Sequence, residues 1–308
     1  MKSSVWTTII LKMDKEEVKK LITGLNVWKR GDQRAPHKPL LLLYALGRCL
    51  RDENRLIPYE SVDKELRKLL LEFGPPRKSY HPEYPFWRLQ SDGIWEVPGA
   101  EILEKRKSST DIPKSILLKN KVKGGFREDV HQLFTQDRKF LAETAGQILN
   151  ANFPASIHED ILQAVGIDLE DTARRPTARD PSFRHRILQA YEFQCAVCGF
   201  NVRIGDSLVA LEAAHIKWYQ AGGPDMENNG IALCSLHHRL FDRGAFTISD
   251  NMKLKVSEIA HGTTGFNEWL LAFHDREIRP PQRKSYFPGT DYVKWHVREV
   301  FKGYARER

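Results

Sequence analysis

The sequence has few cysteines and no long apolar run, and these two features limit the classes of protein to which the chain can belong. Only four of its 308 residues are cysteine, which excludes a disulfide framework and indicates a reducing compartment. No stretch approaches the roughly 20 apolar residues that span a bilayer, and the N-terminus lacks the apolar segment of a signal peptide. We therefore expect a soluble, cytoplasmic protein without a membrane partner.

The length and hydrophobic content are sufficient for two domains with hydrophobic cores, and the net charge favours an anionic partner. A chain of 308 residues with 41% hydrophobic residues is long enough for two domains. Lysine and arginine outnumber aspartate and glutamate by 48 to 40, which gives a net charge of +8 and a pI near 9.2. This charge favours a polyanion such as nucleic acid. Because many basic proteins bind no nucleic acid, the identification depends on motifs.

Three of the four cysteines lie in one stretch, between residues 195 and 242. Cys195 and Cys198 form a Cys-x-x-Cys pair, and Cys234 with His237 forms a second short-spaced pair. Zinc prefers four thiolate or imidazole ligands in a tetrahedron, and structural sites usually supply them as two such pairs. The spacing therefore predicts a structural zinc site formed by these four side chains.

Two histidines and an asparagine in the same stretch are not needed for that zinc site. His215 ends a strand-like run, Asn229 lies in a polar loop, and His238 is predicted to open a helix. Phosphodiester hydrolysis needs an activated water and a divalent ion that neutralises developing charge. A histidine can remove the proton of the water, a second histidine can ligate the ion, and an asparagine can fix the loop and orient the base. These three residues thus predict a hydrolytic site.

Three segments carry this pattern: Glu212-Ala213-Ala214-His215-Ile216, Asn229-Gly230-Ile231-Ala232-Leu233-Cys234 and His237-His238-Arg239-Leu240-Phe241-Asp242. Together, over roughly residues 183–256, they resemble the HNH nuclease motif in its McrA-like form, a ββα-metal finger supported by structural zinc. The resemblance implies that His215 is the general base, Asn229 the central asparagine and His238 a ligand of a catalytic Mg or Mn ion.

One position departs from the HNH pattern. Many HNH enzymes carry a metal-binding aspartate or histidine immediately before the base, where this chain has Ala214. The remaining ligands are then expected among Glu212, Asp242, water and the phosphate. For Glu212, ligation of the catalytic ion and a purely structural role are equally open.

The N-terminal half is predicted to be mainly helical. Apolar residues at helical spacing and capping signals predict helices that begin near Asp14, Pro39, Pro58 and Arg127, the last of which extends to about Leu149. Residues 86–89 and 94–97 alternate like strands around residues 91–93, which predicts a β-hairpin. Helices followed by a hairpin favour a winged-helix-like arrangement.

These expectations define an α+β protein of two domains. A charged, proline-containing stretch at residues 169–181 predicts a linker. We expect residues 1–168 to form a mainly helical, winged-helix-like DNA-reading domain with a β-hairpin. Residues 182–308 are expected to form a ββα-metal (HNH) nuclease domain with structural zinc.

Two segments of the N-terminal half, residues 34–43 and 81–95, carry a second resemblance. They read Arg-Ala-Pro-His-Lys-Pro-Leu-Leu-Leu-Leu and His-Pro-Glu-Tyr-Pro-Phe-Trp-Arg-Leu, the latter followed by Gly93-Ile94-Trp95. They resemble the sulfur-binding domain of restriction enzymes that attack phosphorothioate-modified DNA. Sulfur in place of a phosphate oxygen is larger, more polarizable and more weakly hydrated, so an apolar surface can prefer it. The resemblance implies sulfur contact by Tyr84 and Pro85, and contacts to phosphates or base edges by Arg34, His37, Lys38 and Arg88.

The two resemblances together predict a type IV HNH endonuclease that reads double-stranded DNA carrying phosphorothioate and cuts nearby. Cutting both strands requires a second HNH site, so we expect a homodimer. Two alternatives stay open. One is a McrA-like nuclease that reads a modified cytosine, which would need a pocket for a base. The other is a non-catalytic, zinc-dependent DNA-binding protein, an alternative that Ala214 supports.

Overall fold

The computed structural model describes residues 13–26, 31–103, 111–167 and 181–307, and its N-terminal half is helical around a small sheet. The helices are α1 (Lys15–Thr23), α2 (His37–Leu50), α3 (Tyr59–Phe73), α4 (Glu83–Arg88), α5 (Lys114–Lys119), α6 (Glu128–Gln136), α7 (Arg138–Asn152) and α8 (His158–Val165). The strands are β1 (Ile57–Pro58), β2 (Trp95–Glu96) and β3 (Lys123–Phe126). They form an antiparallel sheet in the order β1-β3-β2.

Local signals in the sequence explain where several helices begin and end. Asp14 caps α1: its carboxylate accepts a hydrogen bond from the Glu17 amide at 2.8 Å, and the Glu17 side chain accepts one from the Asp14 amide at 3.0 Å. This reciprocal capping satisfies two amides that the helix leaves unpaired, as predicted. The apolar helix α2 is buried along most of its length and lies at the centre of the core.

The predicted hairpin in the N-terminal half is wrong. Residues 83–88 form α4 and Leu89–Asp92 form a 3₁₀ turn, so only Trp95–Glu96 is a strand, and it pairs with β3. A short apolar run does not distinguish a strand from a buried helix by alternation alone. Here Pro85 supplies a φ angle suited to the first turn of a helix, and Phe86 packs against Tyr59 and Trp95 with ring centroids 5.1 and 6.1 Å apart. The winged-helix-like arrangement was predicted from this hairpin, so the described residues do not confirm it.

The long helix predicted from Arg127 is in fact two helices. Asp137 separates α6 from α7, and its carboxylate accepts a hydrogen bond from the amide of Phe140 at 2.9 Å. Aspartate is favoured at such N-cap positions because its side chain replaces the missing carbonyl partner. The chain can consequently change direction while the core-facing stripes of both helices stay apolar.

The C-terminal half is built on a two-stranded hairpin between helices. Its helices are α9 (Pro181–Ala190), α10 (Ser235–Asp242), α11 (Thr264–Trp269) and α12 (Thr290–Glu299). Its strands are β4 (Arg203–Ile204), β5 (Ser207–Leu208), β6 (Leu211–His215), β7 (Gly230–Cys234), β8 (Phe246–Ile248) and β9 (Leu254–Val256). Strands β6 and β7 pair antiparallel from Leu211 opposite Cys234 to His215 opposite Gly230, and α9 and α10 pack on them.

Gly230 allows α9 to pack closely on this hairpin. A Cβ atom at this position would lie 2.2 Å from Cδ1 of Ile187 and 3.1 Å from Cζ of Phe183, both on α9. Since Gly230 is the register partner of His215, the absence of a side chain here brings the N-terminal turn of α9 next to His215. The fold of the C-terminal half thus agrees with the expected order of two strands followed by a helix.

The two halves pack against each other through the C-terminal helix and the loop after β6. Trp218, Trp295 and Val300 are buried in the same apolar cluster as the N-terminal core. The predicted linker lies almost wholly in residues 168–180, outside the described residues. None of the described helices has the length and apolar character that crossing a bilayer requires.

Candidate functional site: a cysteine and histidine cluster beside two carboxylate-paired histidines

The four predicted zinc ligands come together at the start of α10. Their ligand atoms all lie within 4.8 Å of one another, with 3.9 Å between the sulfurs of Cys198 and Cys234. Nδ1 of His237 lies 3.1 Å from the sulfur of Cys234 and 3.8 Å from that of Cys195. Tetrahedral zinc with Zn–S bonds of about 2.3 Å separates two sulfurs by about 3.8 Å. The donor set and its size therefore fit a tetrahedral metal ion.

Surrounding contacts prepare this cluster for a metal. Nε2 of His237 donates to the carbonyl of Trp269 at 2.8 Å, which leaves Nδ1 directed at the sulfurs. Hydrogen bonds from Cys198 and then Cys234 lower the pKa of the Cys195 thiol, whereas the hydrogen bonds with Cys195 and then Cys198 raise the pKa of Cys234. The Cys195 thiol is therefore more acidic than that of Cys234, and the thiolate is the form that binds metal. Cys49 lies in the other half, where burial raises the pKa of its thiol to about 12.

His238 lies next to the cluster on α10 and is held between two carboxylates. Its Nδ1 is 2.6 Å from Oε2 of Glu212, and its Nε2 is 3.0 Å from Oδ2 of Asp242. Burial lowers the pKa of His238, but Asp242 and then Glu212 raise it by more, to about 9. The hydrogen bond with His238 lowers the pKa of Glu212 to about 2. The imidazole is thus protonated at neutral pH, with one anion on each ring nitrogen.

This arrangement offers ligands for a divalent ion, but binding of the ion requires His238 to lose one hydrogen bond and its proton. Carboxylate oxygens and a neutral imidazole nitrogen are suitable donors for Mg or Mn. Because Glu212 and Asp242 occupy opposite nitrogens of the same ring, an ion bound to His238 has to replace one of these two hydrogen bonds. His238 also has to lose its proton first, since only the neutral ring ligates a metal.

Asp242 connects the two halves of the molecule at this point. It is buried, and its Oδ1 accepts a hydrogen bond from the indole of Trp218 at 2.8 Å. Its Oδ2 accepts another from the hydroxyl of Ser156, which belongs to the N-terminal half. These donors fix the carboxylate beside His238.

His215 lies at the end of β6, with its own carboxylate partner. Its ring stacks on Phe183 with centroids 4.2 Å apart, and its Nε2 is 2.7 Å from Oδ1 of Asp225. The side chains of His215 and Asp225 are 11% and 23% exposed. Glu212 contacts Ser235 and His238 of α10, whereas His215 stacks on Phe183 of α9.

Asn229 fixes the loop between β6 and β7. It is fully buried, and its side-chain oxygen accepts from the amide of Lys217 at 2.9 Å. Its side-chain amide donates to the carbonyls of Lys217 at 3.0 Å and Pro224 at 2.9 Å. Both ends of the loop that carries Trp218 and Asp225 are therefore attached to one side chain.

In the N-terminal half, Tyr84 and Arg88 form an accessible pair while Pro85 is buried. The Tyr84 ring stacks on His81 at 5.0 Å, and the Arg88 guanidinium lies 4.7 Å above the Tyr84 ring. Arg88 also makes two hydrogen bonds to the carboxylate of Asp111, at 2.8 and 2.6 Å, and its side chain is 46% exposed. The pair offers an aromatic face beside an oriented cation.

Two of the other three predicted DNA contacts, Arg34 and Lys38, have partners inside the protein. Lys38 donates to Asp92 and to the carbonyl of Asn26, at 2.5 and 2.7 Å. Arg34 donates to the carbonyls of Phe73 and Glu299, both at 2.8 Å. Contact of Lys38 and Arg34 with DNA stays a prediction that requires these hydrogen bonds to open.

His37 opens α2 near other basic groups. Burial first, and then His81 and Arg77, lower its pKa to about 4. Its imidazole is therefore neutral at physiological pH. Any contact that it makes with DNA is a hydrogen bond rather than an ion pair.

The sequence did not indicate four residues that the structure brings to these sites: Asp225, Trp218, Ser156 and Glu299. Asp225 follows Gly222-Gly223-Pro224, where an aspartate is an ordinary turn residue. Nothing in its spacing identifies the histidine ten positions earlier as its partner. The other three act through tertiary contacts between the halves, for which a single sequence carries no signal.

Comparison with known families and structures gives matches over both halves. The model of the family described as ScoMcrA-like, DNA sulfur-binding domain, matches residues 15–170. The model of an HNH endonuclease family matches residues 195–249. The comparison with curated proteins gave no match.

Solved structures of restriction enzymes resemble parts of the chain. The sulfur-binding domain of ScoMcrA in complex with phosphorothioated DNA is 24% identical, with 48% of this chain and 94% of that chain covered and a TM-score of 0.43. The type IV phosphorothioation-dependent restriction endonuclease ScoMcrA is 15% identical, with 72% and 93% covered and a TM-score of 0.41. The modification-dependent TagI restriction endonuclease is 23% identical, with 44% and 41% covered and a TM-score of 0.29.

Proposed function

Because the chain belongs to the family with a ScoMcrA-like DNA sulfur-binding domain and also contains an HNH endonuclease domain, we propose that it cleaves DNA that carries phosphorothioate. It is a type IV, modification-dependent restriction endonuclease. The N-terminal half reads the modified backbone, and the C-terminal half hydrolyses a phosphodiester bond nearby. We assign residues 1–168 to the reading domain, 169–181 to the linker and 182–308 to the nuclease domain. The biological role is restriction of foreign DNA with the sulfur modification.

One observation carries this proposal: a sulfur-reading family match and a nuclease family match stand in the same chain. A sparse chemical modification then defines where the enzyme binds, and the nuclease half needs only the phosphate backbone, which carries no sequence information. The net charge of +8 supports binding to this backbone.

We propose structural zinc at Cys195, Cys198, Cys234 and His237, and a catalytic Mg or Mn ion at His238. Three thiols and an imidazole are the donors of many structural zinc sites, whereas a carboxylate and an imidazole suit a harder divalent ion. Glu212 and Asp242 are the two candidates for the second protein ligand. When bound, the catalytic ion neutralises charge on the phosphate and on the leaving oxygen.

In the proposed reaction, His215 removes a proton from the attacking water. The water oxygen forms the new bond to phosphorus, and the bond between phosphorus and the leaving oxygen breaks with its electron pair on that oxygen. The leaving oxygen then takes up a proton from solvent. Asn229 contributes by fixing the loop beside His215, and the stacking of Phe183 limits rotation of the imidazole.

For recognition, we propose that Tyr84 contacts the sulfur and that Arg88 contacts a neighbouring phosphate or base. Pro85 is buried, so it contacts the sulfur only if DNA binding exposes it. The exposed Arg88 guanidinium beside the Tyr84 ring supports this assignment. His37 is assigned a hydrogen bond to DNA. Arg34 and Lys38 contact DNA only if binding opens their internal hydrogen bonds.

The test uses duplexes of identical sequence with and without phosphorothioate, incubated with the protein and Mg or Mn. We expect cleavage of the modified duplex alone, and loss of cleavage with retained DNA binding and zinc content in His215→Ala. Equal cleavage of both duplexes would overturn recognition of sulfur. Selective cleavage of a duplex with modified cytosine would support a base-reading enzyme instead.

The same experiment addresses the non-catalytic alternative and the oligomeric state. If the wild-type protein binds modified duplexes without metal-dependent cleavage, it is a DNA-binding protein. We propose that two copies act together, because one HNH site cuts one strand. Double-strand breaks whose rate depends on protein concentration would support this homodimer.

A further inference from the structure

Asp225 is placed to control the orientation of His215. The two side chains are 2.7 Å apart through Nε2 and Oδ1, and both are largely buried. The imidazole also stacks on Phe183, with an angle of 17° between the ring planes. Resting on the proposed function, in which His215 is the base, we propose that Asp225 is a positioning residue for proton removal by His215.

Hydrogen bonds to two consecutive carbonyls hold the backbone at Asp225, so the position of its carboxylate is constrained. The preceding carbonyl, of Pro224, accepts a hydrogen bond from Asn229 at 2.9 Å. The carbonyl of Asp225 itself accepts one from Arg186 of α9 at 2.8 Å. Arg186 also pairs with Glu227 at 2.9 Å. The loop is thereby connected both to the central asparagine and to the helix that stacks on His215.

The contact decides which ring nitrogen is available for catalysis. A carboxylate at hydrogen-bond distance from Nε2 accepts a hydrogen bond from the N–H of that nitrogen, which fixes the tautomer with its proton on Nε2. Proton removal from water then falls to Nδ1, and the carboxylate stabilises the imidazolium that forms. Asp225 therefore acts on the reaction through His215, without touching the water or the phosphate.

Three charged residues of the described elements around His215 have partners of their own. On α9, Arg186 pairs with Glu227, and Arg184 donates to the carbonyl of Leu211 at 2.8 Å. In the loop, Lys217 pairs with Asp32 at 3.3 Å. The Tyr219 ring lies 6.3 Å from the imidazole. Asp225, by contrast, is an anion at hydrogen-bond distance from the ring.

The test compares Asp225→Asn with wild type on the phosphorothioated duplex, by single-turnover cleavage across pH. The amide keeps the size of the side chain but removes its charge. We expect the cleavage rate to fall by about 10- to 100-fold with unchanged DNA binding. The acidic limb of the pH profile should move to lower pH, because the imidazolium loses its anionic neighbour.

Two further variants make the outcome specific. Asp250→Asn removes a charge from an exposed turn of the same half and should cleave like wild type. Asp225→Glu keeps the charge and should cleave faster than Asp225→Asn, with the wild-type pH profile. Thermal unfolding and zinc content establish that each variant is folded. If Asp225→Asn does not fold, the cleavage rates and pH profiles of Asp225→Glu and Asp225→Ala are compared instead. A faster rate in Asp225→Glu with the wild-type pH profile supports the positioning role, and equal rates overturn it.

The results separate this inference from the proposed function. Cleavage by wild type and its loss in His215→Ala establish the reaction, and their failure overturns the proposed function. Given that reaction, a wild-type rate in Asp225→Asn overturns the positioning role. A slower rate with an unshifted pH profile also overturns it, because the effect is then structural.

Discussion

Two buried histidines of the nuclease half differ in charge because their partners differ: His238 is protonated at neutral pH and His296 is neutral. His238 lies between two carboxylates, and its pKa is raised to about 9 despite burial. His296 accepts from the Thr247 hydroxyl at 2.9 Å and donates to the carbonyl of Phe241 at 3.1 Å. Burial lowers the pKa of His296 to about 4, although the charge of Asp242 opposes the shift. His296 is thus neutral at physiological pH.

The neutral state of His296 makes the protein sensitive to acid. A histidine in the unfolded chain has a pKa of about 6.5, so between this pH and about 4 the unfolded state binds one more proton than the folded state. The free energy of unfolding should fall over this range, by about 3 kcal/mol from this residue. It should be constant with respect to His296 above pH 6.5.

We expect His296→Gln to remove this contribution. Urea unfolding of wild type and variant at pH 7 and pH 4.5 measures it: the loss of unfolding free energy between the two pH values should be smaller in the variant. Differences in absolute stability cancel in this comparison. An equal loss in both proteins would assign the acid sensitivity to other groups.

At the scale of elements, the cysteine and histidine cluster joins the end of β7 to the start of α10. Cys234 is the last residue of β7 and precedes α10, His237 lies in the first turn of that helix, and His238 follows. A metal in this cluster consequently fixes the part of α10 that presents His238. In small metal domains, structural zinc contributes on the order of 10 kcal/mol to folding.

We therefore expect Cys195→Ser and Cys234→Ser to lose zinc and cooperative unfolding of the C-terminal half. A strong chelator should act in the same way on wild type. The matched control is Cys49→Ala, which changes a buried cysteine of the other half and should keep its zinc. Metal content with thermal unfolding tests this, and wild-type melting in either serine variant would contradict a structural metal.

The elements that were predictable from sequence are those with local causes. The reciprocal contacts of Asp14 and Glu17 and the paired spacing around Cys195 and Cys234 act within a few residues of the chain. The helix at residues 83–88 was not predictable, because the packing of Phe86 on Tyr59 and Trp95, which favours it over a strand, is a tertiary contact. The contact of Asp225 with His215 depends on how a long loop returns to its strand, which no pattern in the sequence specifies.

At the scale of the whole molecule, Glu299 of α12 is the centre of the contact between the two halves. Its side chain is fully buried. It accepts from Arg77 at 2.7 and 3.0 Å and from the amide of Arg34 at 3.0 Å. Nearby, Arg298 and Lys217 both pair with Asp32. Basic residues of the reading half are thus used to bind the nuclease half.

We expect Glu299→Gln to weaken this contact. Removing one partner of a buried ion pair leaves the other uncompensated, at a cost of about 2 to 4 kcal/mol with Arg77 partly exposed. Urea unfolding should show a lower midpoint or two separated transitions. Glu268→Gln, at an exposed position on α11, is the control, and equal stability of both variants would remove Glu299 from its central role.

The hydroxyl of Ser156 on the carboxylate of Asp242 also has a practical meaning for protein engineering. A chimera that transplants this nuclease half onto a foreign reader would leave Asp242 with the Trp218 indole but without that serine. The aspartate beside His238 would then be freer to turn. Designers of such fusions should supply a replacement donor, or accept a cutting module whose metal affinity differs from that of the parent.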